Sequence, residues 1–141
     1  MMNNGIFISI KPKYTSKIEL GEKNYEFRNY LPKRKFEILY VYETFPTCSL
    51  KYIIKVDKII KYPNKIEEEG FGNIDFNKGL KKSRYAYHIS SVEKINNPIP
   101  LKKLSSQFGF SAPQAFAYDT RYYELVKYIK TLDTCIIVNN K

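Results

Sequence analysis

The sequence predicts an α+β fold: a curled or closed mixed sheet with short flanking helices. Three observations predict it. Strand-like runs outnumber helical ones and do not alternate strictly with them, which separates the chain from the doubly wound α/β class. Several runs are apolar on both faces, as central strands are. The 141 residues are 43% hydrophobic and 16% aromatic, with 13 Tyr and 9 Phe, enough for one substantial core.

Gly5-Ile6-Phe7-Ile8-Ser9-Ile10 reads as a central strand. Pro12 suits the first turn of a helix, where its missing N–H has no intrahelical partner. Tyr14 and Ile18 share a face of that helix, and Gly21 fits the left-handed residue beyond its end. A helix from Pro12 to Leu20 follows, then a strand from Tyr25 to Arg28. Phe36 to Glu43 and Leu50 to Ile60 are further strands. Pro63 ends the second of these. Asn64 to Glu69 is expected as a short helix, with Glu67-Glu68-Glu69 a solvated face. Asp75 to Lys82 reads as a helical turn or loop, and Tyr85 to Val92 as a strand. Asn96-Asn97-Pro98-Ile99-Pro100 reads as a break. Leu101 to Phe108 suits a short helix, and Ser111 to Gln114 a loop. Asp119 or Thr120 is placed to cap a last helix, whose Tyr122, Leu125, Val126, Ile129 and Leu132 recur at helical spacing. Cys135 to Val138 closes the chain as a strand. No repeat, linker or low-complexity tract interrupts this order, so one domain is expected over residues 1–141.

The net charge of +10 points to a polyanionic partner, most often nucleic acid. Its placement is more informative than its size. Eight basic and three acidic residues lie between Lys11 and Lys35. No run approaches the roughly 18 apolar residues of a membrane span. The stretch Met1-Met2-Asn3-Asn4-Gly5 lacks the layout of a secretory leader, so a cytoplasmic location is expected. Cys48 and Cys135 stand alone and form no metal framework or disulfide scaffold. No zinc spacing or nucleotide-binding glycine loop is present. No metal and no cofactor are expected.

Candidate chemistry concentrates at Lys23, Glu26 and Arg28. Alternation along a strand puts Glu26 and Arg28 on one face and Tyr25 and Phe27 on the other, toward a core. A turn brings Lys23 close. An arginine holds phosphate bidentately, and a carboxylate accepts from an exocyclic amino group. A lysine contacts phosphate, or acts as nucleophile or base when burial lowers its pKa. The competing reading is a structural ion-pair cluster at a barrel mouth. Lys11 after the first strand, Thr44 after the third and Gln114 beside Pro113 are further candidates for lining the same cleft. His88, the single histidine, reads as a surface or strand-edge residue.

Ser9-Ile10-Lys11-Pro12, the short helix, Gly21-x-Lys23-x-x-Glu26-x-Arg28 and Tyr42-x-Thr44-x-Pro46 together resemble the ASCH domain, of the PUA-like superfamily. Tyr85-Ala86-Tyr87-x-Ile89, Pro98-Ile99-x-Leu101 and Pro113-Gln114-x-Phe116 follow in the family's order. The resemblance runs from about Ile6 to Tyr118 and is to the single-domain bacterial, archaeal and phage type. It leaves residues 119–141 as a helix–strand extension. It implies a small mixed β-barrel flanked by short helices, with a basic cleft beside the K-x-x-E-x-R strand. It further implies binding of nucleic acid, chiefly RNA, or of a modified nucleotide. Lys11, Lys23, Glu26, Arg28, Thr44 and Gln114 are the expected contacts. Some relatives are amidohydrolases acting on acetylated cytidine, and some have been linked to RNA cleavage. A metal-independent hydrolase acting on a modified nucleoside or RNA is therefore the alternative, with Lys23 as nucleophile or base and Glu26 as proton shuttle. The amidohydrolases carry threonine three residues after the lysine, where this chain has Glu26. A third reading is a protein-binding adaptor that presents an apolar face of the last helix.

Overall fold

The structure, a computed structural model, describes residues 4–140. Met1 to Asn3, part of the stretch read above for leader character, and Lys141 lie outside the described residues. One seven-stranded mixed sheet organises the chain. Its strands are β1 (Gly5–Ile10), β2 (Tyr25–Arg28), β3 (Ile38–Glu43), β4 (Ser49–Lys61), β5 (Tyr85–Pro100), β6 (Ala117–Tyr118) and β7 (Thr134–Asn139). The spatial order is β2-β5-β4-β3-β1-β6, with β7 also on β5. β1 and β3 run parallel, Gly5 opposite Ile38 and Ile10 opposite Glu43, and the other pairs are antiparallel. The sheet curls into a half-barrel.

Both faces of the central strands are covered, as their two-sided apolar sequence requires. Phe7, Tyr40, Tyr42 and Leu50 pack on one face against Phe110, Tyr122, Leu125 and Ile129. Ile6, Ile8, Leu39, Val41, Ile54, Tyr87 and Ile89 fill the other. Gly5 is required by close approach: a Cβ there would stand 2.5 Å from the Tyr40 ring.

Helix α1 (Pro12–Glu19) starts with its proline in the first turn. It ends at Leu20, followed by Gly21 in the left-handed region at φ 78°. The Lys17 carbonyl accepts from the Glu22 and Lys23 amides at 2.9 and 3.1 Å. This closure turns the chain directly into β2. α2 (Asn73–Asn77), α3 (Leu101–Phe108) and α4 (Tyr123–Ile129) complete the helices of the described residues.

Four details differ from expectation. Residues 64–69 are not helical. Glu68 there is an anchor: it accepts from the Tyr25 hydroxyl at 2.9 Å and from Lys58 Nζ at 3.0 Å. The expected break at 96–100 lies inside β5. Between pairs with β4, that strand advances from Lys94 to Ile99 while β4 advances only from Tyr52 to Leu50. A bulge thus absorbs the asparagines and Pro98. Neither Asp119 nor Thr120 caps the last helix, and the carboxylate of Asp119 is engaged elsewhere. It accepts from the Gly5 amide at 3.2 Å and the Thr120 amide at 2.8 Å, and a 3-10 turn (Asp119–Tyr122) precedes α4. His88 is buried, with Nδ1 2.6 Å from Asp57 Oδ1 and Nε2 3.7 Å from Glu68 Oε2. β5 directs it under the 64–70 segment, an arrangement invisible to local pattern. Of the cysteines, Cys48 is half-buried and Cys135 exposed.

Candidate nucleic-acid interface

The half-barrel is drawn together where β2 meets β1, and the candidate cluster does this. Strand alternation aims Glu26 and Arg28 across the curl toward β1. Arg28 Nη2 donates to the Ser9 carbonyl at 2.8 Å. The same nitrogen lies 2.7 Å from Glu26 Oε2, to which Nε also donates at 2.9 Å. Arg28 Nη1 stands 3.4 Å from the Tyr30 hydroxyl. The guanidinium is thus held in place mainly by protein acceptors. Burial alone would lower its pKa; Glu26 and Tyr30 together outweigh that and raise it.

Lys23 sits behind this pair. Its side chain is 4% exposed, with Nζ 3.4 Å from Glu26 Oε1 and donating to the Tyr25 carbonyl at 2.5 Å. Nζ also lies 4.5 Å from the centre of the Phe27 ring. Burial pushes the Lys23 ammonium below its usual pKa range, and Glu26 opposes the shift. Glu26 Oε1 is buried and accepts no hydrogen bond; Lys23 is its charge partner without bonding geometry.

In front of Glu26 and Arg28 opens a cleft of about 270 Å³. Ser9, Ile10, Lys11, Tyr14, Phe27, Asn29 and Ser83 complete its lining. Lys11 is exposed at the rim. Lys81 adds positive charge nearby, its Nζ 4.6 Å from the Phe27 ring centre.

The structure brings Lys11, Glu26 and Arg28 together along one cleft, with Lys23 buried behind its lining. Thr44 and Gln114 lie outside the lining too. Thr44 is tied to the end of β1, its amide donating to the Ile10 carbonyl at 3.0 Å. Gln114 is exposed, between two anchors of the cluster: the Pro113 carbonyl accepts from Ser9 Oγ at 2.8 Å and that of Ala115 from the Tyr30 hydroxyl at 2.7 Å. Tyr30 was missed by sequence reading, although its place two residues beyond Arg28 was a usable signal. Ser9 stands in the Ser9-Ile10-Lys11-Pro12 run but was not read as a site residue, and Ser83 gave no signal, because the fold alone brings both beside β2. Among the described residues, no group of three or more His, Cys, Asp or Glu side chains could hold a metal ion. No helix there is long and apolar enough to cross a membrane.

No protein-family model and no curated protein matches this sequence. Solved structures do. The crystal structure of ASCH from Zymomonas mobilis superposes with a TM-score of 0.66 at 21% identity, covering 92% of this chain and 96% of that one. Two single-site mutants of the same protein give TM-scores of 0.70 and 0.69, at 20% and 21% identity, over 92% of this chain. The half-barrel with its short flanking helices thus shares the α+β fold of the ASCH structures from Zymomonas mobilis.

Proposed function

We propose that this protein binds nucleic acid, RNA foremost, or a modified nucleotide, in the cleft beside β2. One observation carries the reading. A carboxylate, Glu26, lies between two cations in the lining of an open cleft that has the exposed Lys11 at its rim. Lys23 holds its Oε1 from behind and Arg28 its Oε2, and a carboxylate in the lining of a cleft is an acceptor for an incoming N–H donor. The exocyclic amino group of a base is such a donor. Lys11 at the rim supplies the phosphate contact. Arg28 shapes the floor and adds positive potential rather than gripping phosphate with two free N–H groups. Tyr14 and Phe27 offer ring surface. Thr44 and Gln114 belong to the cleft's margins, where a longer ligand meets them.

The test is fluorescence anisotropy with a labelled single-stranded RNA dodecamer. Lys11→Ala is expected to weaken binding about three- to tenfold and to make the salt dependence shallower by about 0.7, the value for one phosphate contact on a single strand. Unchanged affinity and slope would contradict the assignment.

The buried Lys23–Glu26 pair, 3.4 Å apart, with burial lowering the Lys23 pKa, supports a second reading, hydrolysis of a modified nucleoside or RNA with Lys23 as nucleophile or base and Glu26 as proton shuttle. It requires Lys23 to emerge from a site where it is 4% exposed. The adaptor reading draws no support from the last helix, whose Leu125, Val126 and Ile129 are buried in the core.

A further inference from the structure

A second and larger hollow lies on another part of the half-barrel. It is a groove of about 670 Å³ between the 31–38 connector and the middle of β4, with Ser90 of β5 at its edge. This size falls within the range of about 300–1,000 Å³ that ligand sites occupy. It shares no lining residue with the cleft beside β2. The cleft touches the end of β1 at Ser9 and Ile10, whereas the groove touches the start of β3 at Ile38. Because Ile10 pairs with Glu43 and Gly5 with Ile38, the two lie toward opposite ends of the β1–β3 pair.

The groove has two chemical halves. Pro32, Phe36, Ile38, Val56 and Ile59 supply apolar wall. Lys33, Arg34, Lys35, Lys55 and Lys58 supply cations, against Glu37 and Asp57. Several of these charges are committed elsewhere. Lys58 is held by Glu68 at 3.0 Å, and Asp57 turns to His88. Arg34 stacks on Tyr118, 3.9 Å from its ring centre, and donates to Thr120 Oγ1. Lys33, Lys35 and Lys55 are exposed and have no ion pair among the described residues. Three free ammonium groups around an apolar-walled hollow fit a ligand with spaced negative charges and a flat apolar body. The local backbone supports the placement. β4 and β5 slip register on either side of Val56, and such bulges re-aim the side chains of 55–58 relative to a regular strand.

We propose that this groove is a second contact site for single-stranded nucleic acid, with Lys33, Lys35 and Lys55 on phosphates and a base against the Pro32–Ile59 wall. Asp57 is engaged by His88, whereas Glu37 has no side-chain ion pair among the described residues, and it faces the base as an acceptor for an amino group. The inference stands on the groove's own residues and does not require the cleft beside β2 to bind.

The experiment measures binding of a fluorescein-labelled single-stranded RNA dodecamer across a salt series. It compares the unaltered protein, the triple variant Lys33→Ala/Lys35→Ala/Lys55→Ala, and a control triple variant of equal charge, Lys78→Ala/Lys102→Ala/Lys130→Ala, at exposed positions elsewhere. All six lysines are exposed, so matching thermal melts confirm that both variants fold. The groove variant is expected to bind at least tenfold more weakly, with a salt slope shallower by about 2, three contacts at roughly 0.7 each. The control is expected to stay within about twofold. A dodecamer carrying 4-thiouridine is expected to crosslink to peptides spanning 31–38 or 55–59. Equal loss in both triple variants would reduce the groove to a share of net charge and overturn the proposal, as would crosslinks found only elsewhere. Loss in Lys11→Ala with the groove variant unaffected would overturn the groove and uphold the cleft. The reverse result would do the opposite.

Discussion

At the scale of single residues, Glu26 decides the character of the cluster. Lys23, Glu26 and Arg28 are 4%, 8% and 14% exposed as side chains, so the group is a buried cation–anion–cation set rather than a surface bridge. Surface pairs contribute about 0–1 kcal/mol, whereas removing one member of a buried set leaves charges uncompensated at about 3–5 kcal/mol. Glu26→Ala is therefore expected to destabilise the fold by about 3–5 kcal/mol in urea unfolding. A loss below about 1 kcal/mol would mean that water reaches the cluster freely. The pattern G-x-K-x-x-E-x-R made the cluster legible in sequence, because alternation alone puts Glu26 and Arg28 on one face. It could not show that Arg28 is spent on Glu26 and the Ser9 carbonyl. That commitment depends on where β1 lies relative to β2, which no local spacing encodes. The same holds for His88, whose partners Asp57 and Glu68 come from β4 and the loop after it.

At the scale of elements, strands and helix ends were legible where chemistry is local. Pro12 opens α1, and Gly21 follows its end in the left-handed region. The failures have a common cause: tertiary partners outcompeted local preference. Asp119 satisfies the amide of Gly5 instead of a helix terminus. The Asn-Pro run of 96–100 is carried by a bulge in β5 because β4 continues to pair on both sides of it. The 64–70 segment, acidic enough to suggest a solvated helix, is instead bound through Glu68. Burial works to raise the Glu68 pKa, but hydrogen bonds from Lys58, its own backbone amide and Tyr25, with the Lys58 charge, hold it down to about 2. A carboxylate depressed below its ordinary 4.5 adds stability that is complete above that pH and lost as pH falls toward 2. Thermal melts are expected to show Glu68→Gln less stable than the unaltered protein at neutral pH, the gap closing between pH 4.5 and 2. A gap independent of pH would show that the ionised carboxylate does not hold the segment.

At the scale of the whole molecule, the excess charge and the hollows coincide. The chain carries 24 Lys and Arg against 14 Asp and Glu. The cleft beside β2 has Lys11 at its rim with Lys23 and Lys81 close by, and the groove beside β4 has three lysines without an ion pair among the described residues. A fold alone does not imply a function; the distribution of charge around these two openings is what favours a polyanion. Composition indicated a basic protein, but a strong excess of lysine and tyrosine is also what an AT-rich genome produces. Only the folded arrangement shows which cations lie unpaired beside space for a ligand. The most direct test is the affinity of the unaltered protein for a labelled single-stranded RNA dodecamer across a salt series. The account predicts a linear fall of log K with log salt, with a slope of about −2 to −4, corresponding to three to five phosphate contacts. A flat salt dependence, or no binding at low salt, would contradict it.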